Sequence, residues 1–224
     1  MFRRVRRPSI GSHAHPQRGL LTLLRVLVLL LTLLPSPRSD AQGVQLISAE
    51  GQRQMLLDPG TPLAGAPRAD LTIVEYLDFN CPYCRKFAPI LQEVLAQDGH
   101  VAVLYKDWPI LGESSVYAAR LALAAHWQGQ YLRAHDALMQ GGRLGDDAAV
   151  HESLRRAGFD VDALRRTAQA HSAQIDALLE RNDNEAHALG LRGTPGIIVG
   201  RLLLPGIVDA DGLRQLLTQA RQAR

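Results

Sequence analysis

Cysteine is scarce: 224 residues hold only two, Cys81 and Cys84. That excludes a disulfide framework, and a single bond closing so small a loop would constrain little of the unfolded chain. A zinc site is disfavoured as well, because it needs two more soft ligands and no histidine pair sits at ligand spacing beside the cysteines. Long apolar runs are missing too. The run Val26–Leu34 falls short of the ~20 residues of a membrane span, and Arg25 interrupts it upstream. No long low-complexity tract and no fixed-period repeat occurs. With 46% hydrophobic and 21% charged residues, the composition is that of an ordinary globular chain. Its length allows one substantial core, or a small core with an inserted subdomain.

The charge is unevenly spread. A net charge of +3 and a pI near 9.1 suggest a nucleic-acid partner, but seven arginines lie in residues 1–41 against one acid, Asp40. Removing that segment leaves 18 basic and 21 acidic residues from Gln42 onward. The folding part is therefore mildly acidic and lacks a nucleic-acid footprint. The basic segment has the parts of a secretory signal: an Arg-rich start, the apolar run, then Ser39 and Ala41 at the spacing of a cleavage site. We expect residues 1–41 to be removed and the protein to be periplasmic, in a compartment where disulfides persist. An uncleaved anchor and a wrongly assigned start are the competing readings of the same residues.

Residues 42–69 read as an N-terminal extension or linker. Pro and Gly are dense from Asp58 to Pro67, which argues against regular structure there. Val44–Leu57 is mildly amphipathic and is expected as a short helix that packs elsewhere or pairs with another subunit. From about residue 70 the pattern becomes regular. Leu71–Leu77 and Val101–Lys106 read as buried strands. Between them a helix is expected from Pro82, whose missing N–H costs nothing in a first turn, to about Gln97. This is a βαβ unit with a parallel pair. Alanine, leucine and charges then recur at helical spacing from Ser114 to Leu189, which predicts four or five helices and no strand. Gly196–Leu204 reads as two short strands turning near Gly200 and Arg201, and Asp209 caps a last helix. The expected fold class is α/β: βαβ, an all-helical insertion over about 113–190, then ββα.

Cys81 and Cys84 fall where strand meets helix, and that context turns a moderately informative Cys-x-x-Cys into a strong redox signal. Exchange requires a thiolate, and a free cysteine is mostly protonated at neutral pH. Cys81 is placed at the helix N-cap, where unpaired N–H groups and the helix dipole favour negative charge. Cys84, one turn inside, is the expected resolving thiol. Between them, Pro82 fixes the turn and Tyr83 adds a hydroxyl but no charge.

Three blocks now stand in order: Phe79-Asn-Cys-Pro-Tyr-Cys84, Asp107-Trp-Pro-Ile-Leu-Gly112 and Gly193-Thr-Pro-Gly196. Together they resemble the DsbA-like branch of the thioredoxin superfamily over most of residues 68–222, including its suppressor-of-copper-sensitivity protein C group. The resemblance implies a thioredoxin-like fold and an exported thiol–disulfide oxidoreductase that needs no cofactor. It implies a cis Thr194–Pro195 bond against the cysteines, with Thr194, Pro195, Pro82 and Tyr83 meeting substrate. It also implies an acidic group beneath the site, here Glu75, whose buried carboxylate would be raised in pKa and serve as a proton relay for Cys84. A structural ion pair with Lys106 is the competing reading of Glu75. Tyr83 stands where DsbA has histidine and Thr194 where it has valine, so oxidase, isomerase and reductase all stay open. Phe79, Trp108 and Pro109 read as core or as walls of an apolar groove, and the scattered histidines as surface or packing residues.

The implied partners are cysteine-containing exported proteins and a membrane redox partner, with no nucleic acid; oligomerisation is possible through residues 44–57. A redox-inert chaperone on the same fold is the alternative function, and the intact cysteine pair argues against it.

Overall fold

The computed structural model describes residues 44–223; the expected signal segment, 1–41, lies outside the described residues. The fold starts from its two longest strands. β3 (Leu71–Leu77) and β4 (Val101–Asp107) are almost wholly buried and pair in parallel, Leu71 against Val101 through to Leu77 against Asp107. Such a pair needs a crossover, and helix α2 (Pro82–Gln97) supplies it. Pro82 opens that helix, and Cys84, Phe87, Ala88, Leu91 and Val94 recur at helical spacing to form its buried stripe. On the other side of β3 runs β5 (Gly196–Val199), antiparallel, followed through a tight turn by β6 (Leu202–Pro205). Gly200 in that turn has φ +60, which a residue with a side chain adopts only with strain. The last helix, α8 (Ala210–Gln222), starts where the Asp209 side chain accepts from Gly212 N–H, and buries Leu213, Leu216, Leu217 and Ala220.

Five helices fill the interval between β4 and β5: α3 (Glu113–Trp127), α4 (Tyr131–Gln140), α5 (Asp147–Arg156), α6 (Val161–Ala170) and α7 (Ser172–Ala188). The order βαβ, helical insertion, ββα is therefore observed.

Residues 44–69, the described part of the expected 42–69 stretch, differ from expectation. They are not a linker outside the domain but supply both edges of its sheet, whose order is β1-β6-β5-β3-β4-β2. β1 (Gln45–Leu46) pairs with β6, and β2 (Leu63–Gly65) pairs with β4. Helix α1 (Ala49–Leu56) runs between them, capped by Ser48, with Met55 buried. Proline and glycine are tolerated here because an edge strand uses only one row of backbone groups. Gly65 is required: its φ is +97, and a Cβ would stand 2.6 Å from the Val101 carbonyl.

Side chains alternate across the sheet, which divides the core in two. Ile73, Leu77, Val103 and Tyr105 join α2, α8 and the helical insertion on one face. Val74, Tyr76 and Leu104 meet Ile47, Met55 and Ala186 on the other. The cysteines belong to the first face.

Candidate active site

Cys81 is the N-cap of α2, with extended backbone (φ −72, ψ 120) and 4% of its surface exposed; Cys84 is fully buried one turn on. Both are free thiols. Across from them the Thr194–Pro195 peptide is cis, and the Cys81 thiol donates to the Thr194 carbonyl at 3.1 Å. Thus the loop before β5 and the start of α2 bring Thr194, Pro195 and Cys81 together. Pro82 and Tyr83 lie on the outer side of the same turn, and Tyr83 is 62% exposed.

The two thiols are driven apart electrostatically. Hydrogen bonding from Cys84 comes first in holding the Cys81 thiol down to about 5; burial opposes it, while the Thr194 side chain and the backbone N–H groups of Cys84 and Tyr83 assist. Burial pushes the Cys84 thiol far up, helped by its own hydrogen bond to Cys81 and by the charge of Glu75. One sulfur is an anion at neutral pH and the other a neutral acid, which is the asymmetry thiol–disulfide exchange uses.

Glu75 lies beneath them on β3. It is wholly buried, and neither carboxylate oxygen has a hydrogen-bond partner among the described residues. Burial first, then the charges of Asp107 and Cys81, raise its pKa to about 8. The expected partnership with Lys106 does not occur. In the parallel register Glu75 stands opposite Tyr105, so Lys106, one residue further, points to the other face. There Lys106 Nζ meets Asp58 at 2.7 Å and Glu185 at 2.8 Å.

The turn ahead of Cys81 contains two residues that sequence reasoning passed over. One Asp78 carboxylate oxygen accepts from Asn80 N–H at 2.7 Å and Ser115 O–H at 2.8 Å; the other accepts from Leu111 N–H at 2.9 Å. The Asn80 side chain donates to Ser114, Ser115 and the Leu144 carbonyl, and accepts from Leu144 N–H. These bonds fasten the cysteine turn to the loop before α3 and the loop after α4. Asp and Asn two residues apart at a strand end are a turn signal, and that signal was available. Ile110 and Leu111, 40% and 49% exposed, stand on the loop so fastened. Phe79 and Trp108 are both core residues and belong to opposite faces of the sheet, so they share no groove. Among the described residues no group of three or more His, Cys, Asp or Glu gathers as a metal site.

Comparison with known proteins agrees with this geometry. Residues 72–218 match the DSBA-like thioredoxin domain. A thioredoxin-like oxidoreductase from Silicibacter pomeroyi is 36% identical, with a TM-score of 0.73 over 80% of this chain and all of that one. A periplasmic thioredoxin-like protein from Salmonella enterica serovar Typhimurium is 31% identical, covering 79% and 98%, with a TM-score of 0.64. The catalytic domain of Proteus mirabilis ScsC is 30% identical, covering 77% and 95%, with a TM-score of 0.65. Among curated relatives, the Na(+)/H(+) antiporter NhaA 1 of Mycolicibacterium gilvum is 27% identical over 70% of this chain, and the match spans 26% of that protein's length. The described residues contain no helix long and apolar enough to cross a membrane.

Proposed function

Because the chain belongs to the DsbA-like thioredoxin family of thiol–disulfide oxidoreductases, we propose that it is an exported enzyme that forms, reduces or isomerises disulfides in cysteine-containing proteins through Cys81 and Cys84. The observation that carries this reading is the placement of the two thiols, Cys81 at the N-cap of α2 against the cis Thr194–Pro195 peptide and Cys84 fully buried one turn on. Reduction starts when the Cys81 thiolate attacks a substrate disulfide; a Cys81–substrate bond forms and one substrate sulfur leaves as thiolate. Cys84 passes its proton to Glu75 and attacks Cys81 Sγ, and the second substrate sulfur leaves. The enzyme is then oxidised by two electrons and the substrate reduced by two. Oxidation of a dithiol is the same sequence reversed.

Thr194 and Pro195 form one wall for the substrate strand, and Pro82 and exposed Tyr83 the other. The exposed Ile110 and Leu111 offer apolar contact of the kind an unfolded chain presents. Export is supported by the Arg-rich leader and its apolar run. A membrane redox partner resets the pair after turnover.

The deciding experiment titrates the Cys81–Cys84 pair against glutathione buffers. A potential well above ~−200 mV supports a transferable disulfide, as in an oxidase or isomerase, and one between ~−200 and ~−270 mV a reductant. A bond persisting below ~−300 mV behaves as structural, and the proposal then fails.

A further inference from the structure

The loop between α4 and α5 has little to hold it in place. Gly142, Arg143, Leu144 and Gly145 make no backbone–backbone hydrogen bond among the described residues, and all but Leu144 are exposed. Leu144 anchors the loop in two ways. Its side chain is buried in the core on the cysteine face. Its backbone N–H donates to the Asn80 side-chain carbonyl at 2.9 Å, and its C=O accepts from Asn80 Nδ2 at 3.0 Å. A side-chain amide thus takes the place that a neighbouring strand would fill, with one donor and one acceptor matched to one residue.

The same amide is tied to a second loop. Asn80 Nδ2 reaches the Ser114 and Ser115 hydroxyl oxygens, each at 3.1 Å. Ser115 is wholly buried and gives its hydroxyl hydrogen to Asp78 at 2.8 Å, which leaves its oxygen to accept from Asn80. That Asp78 oxygen also accepts from Asn80 N–H, and the other oxygen takes Leu111 N–H at 2.9 Å. Asp78, Asn80 and Ser115 therefore close on one another, and none of their buried polar atoms lacks a partner. A network satisfied throughout is rigid. Cys81 follows it directly, its N–H closing the turn onto the Asp78 carbonyl at 3.0 Å. Asp78 thus fixes the loop that carries exposed Ile110 and Leu111, and Asn80 fixes the loop of residues 142–145, both relative to the thiol. Because Cys81 is itself buried, a polypeptide whose sulfur reaches it must lie against what frames it. The cis Thr194–Pro195 peptide is one part of that frame, and these two loops are another.

We propose that Asp78 and Asn80 determine specificity for extended polypeptides, by setting where the two loops that receive the substrate chain stand relative to the Cys81 sulfur. The inference rests on the reading of Cys81 as the attacking thiol. The side chains of Asp78 and Asn80 bond to neither sulfur and act through the loops they hold, so both are positioning residues. Glutathione disulfide is short enough to meet Cys81 and the cis peptide without spanning either loop. A polypeptide continues on both sides of its cysteine and has to pass over them. Displacing the loops therefore penalises the polypeptide more than the small disulfide.

The test uses the reduced full chain and two oxidised substrates, glutathione disulfide and an unfolded polypeptide closed by one disulfide. It reads the rate constant for attack on each, the pH profile of Cys81 alkylation and the melting temperature. Wild type is expected to react faster with the polypeptide. Asn80→Ala is expected to lower the ratio of the polypeptide rate to the glutathione rate about tenfold, within the roughly hundredfold that a displacement of ~1 Å can cost. The midpoint of its alkylation profile should stay at the wild-type pH. Asp78→Asn is isosteric: its oxygen keeps Asn80 N–H and Ser115, while its Nδ2 faces Leu111 N–H donor to donor. It frees one loop only and should lower the ratio to a smaller degree; if Asn80→Ala does not fold, this variant decides alone. Wild type that attacks neither substrate removes the Cys81 reading and this inference with it. With wild type active, no preference for the polypeptide, or a ratio unchanged in the folded variants, overturns the inference alone. So does a parallel fall of both rates, or a shifted alkylation midpoint in Asn80→Ala, because the network would then serve the fold or the thiol itself.

Discussion

Each face of the central sheet holds a wholly buried ionisable group, Lys106 on one and Glu75 on the other, and the two faces treat it in opposite ways. On the face away from the cysteines, Lys106 is wholly buried between Asp58 and Glu185. Arg181 and the Thr61 hydroxyl complete Asp58, and the Tyr76 hydroxyl donates to Glu185. Burial pushes the Asp58 carboxyl up, but the hydrogen bond and charge of Lys106, then Thr61 and Arg181, outweigh it and hold the group below the ordinary range. On the cysteine face, Glu75 and Asp107 are each one residue along the chain from a member of that network, Tyr76 and Lys106. Among the described residues neither has an ion-pair partner; burial comes first in raising both, and both favour the neutral acid. The wholly buried Lys106 is given counter-charge by half-buried acids, whereas the wholly buried Glu75 and Asp107 are given none among the described residues. The paired face is scaffold, while the other face holds, in Glu75, a group that can change protonation near neutral pH.

The comparison breaks most sharply at its one central cation. Lys106→Met should strand Asp58 and Glu185 and lower unfolding free energy by about 3–5 kcal/mol, read by urea denaturation. The surviving folded fraction should keep its Cys81 alkylation rate. Next in size is Glu75→Gln. A carboxyl raised in the fold stabilises fully below its ordinary pKa and loses that contribution as pH rises through its folded value. Wild-type stability should therefore fall between pH ~4.5 and ~8, by at most about 1.4 kcal/mol per pH unit, and denaturation of the variant over that range should give a flatter profile. Tyr131→Phe removes the donor to Asp107 and should cost about 1 kcal/mol, the usual worth of one hydrogen bond. It should also push the Asp107 carboxyl further up, measurable by its infrared carboxyl band. The smallest effect is expected from Arg181→Ala. Its guanidinium is 42% exposed, so the change should stay under about 1 kcal/mol. Because Asp58 is depressed, its contribution is present above the ordinary carboxylate range and lost on acidification. Loss of Arg181 should move that acid limb slightly toward neutral pH in a melt series.

What the sequence disclosed follows the length of each pattern. β3, β4 and α2 were legible because continuous apolar runs and a helical stripe leave few alternatives. The cysteine pair and Thr194–Pro195 were legible because their residue types are unusual in that order. β1 and β2, two and three residues long, offer no periodicity, and their existence depends on partners far along the chain. The Lys106 partnership was misread because facing is set by register: a one-residue step reverses it, and Asp58 lies in a segment whose composition suggests a loop. His135 was readable in principle. Tyr131, Ala134, His135 and Leu138 fall at helical spacing on the buried side of α4, which marks this histidine as interior.

The N-terminal segment has a bearing on how the enzyme comes into being. Ile47 N–H bonds to the Arg201 carbonyl, the Arg201 guanidinium returns to the Ile47 carbonyl, and Gln52 reaches the Gly200 carbonyl. The separations are 154 residues for the Arg201 guanidinium bond and 148 for Gln52. A chain made from its first residue onward presents this strap long before the β5–β6 hairpin exists to receive it. Contacts of such long range close slowly. The strap therefore has no partner until β6 is made, and a polypeptide halted before β6 carries both cysteines on a sheet that is open on that side.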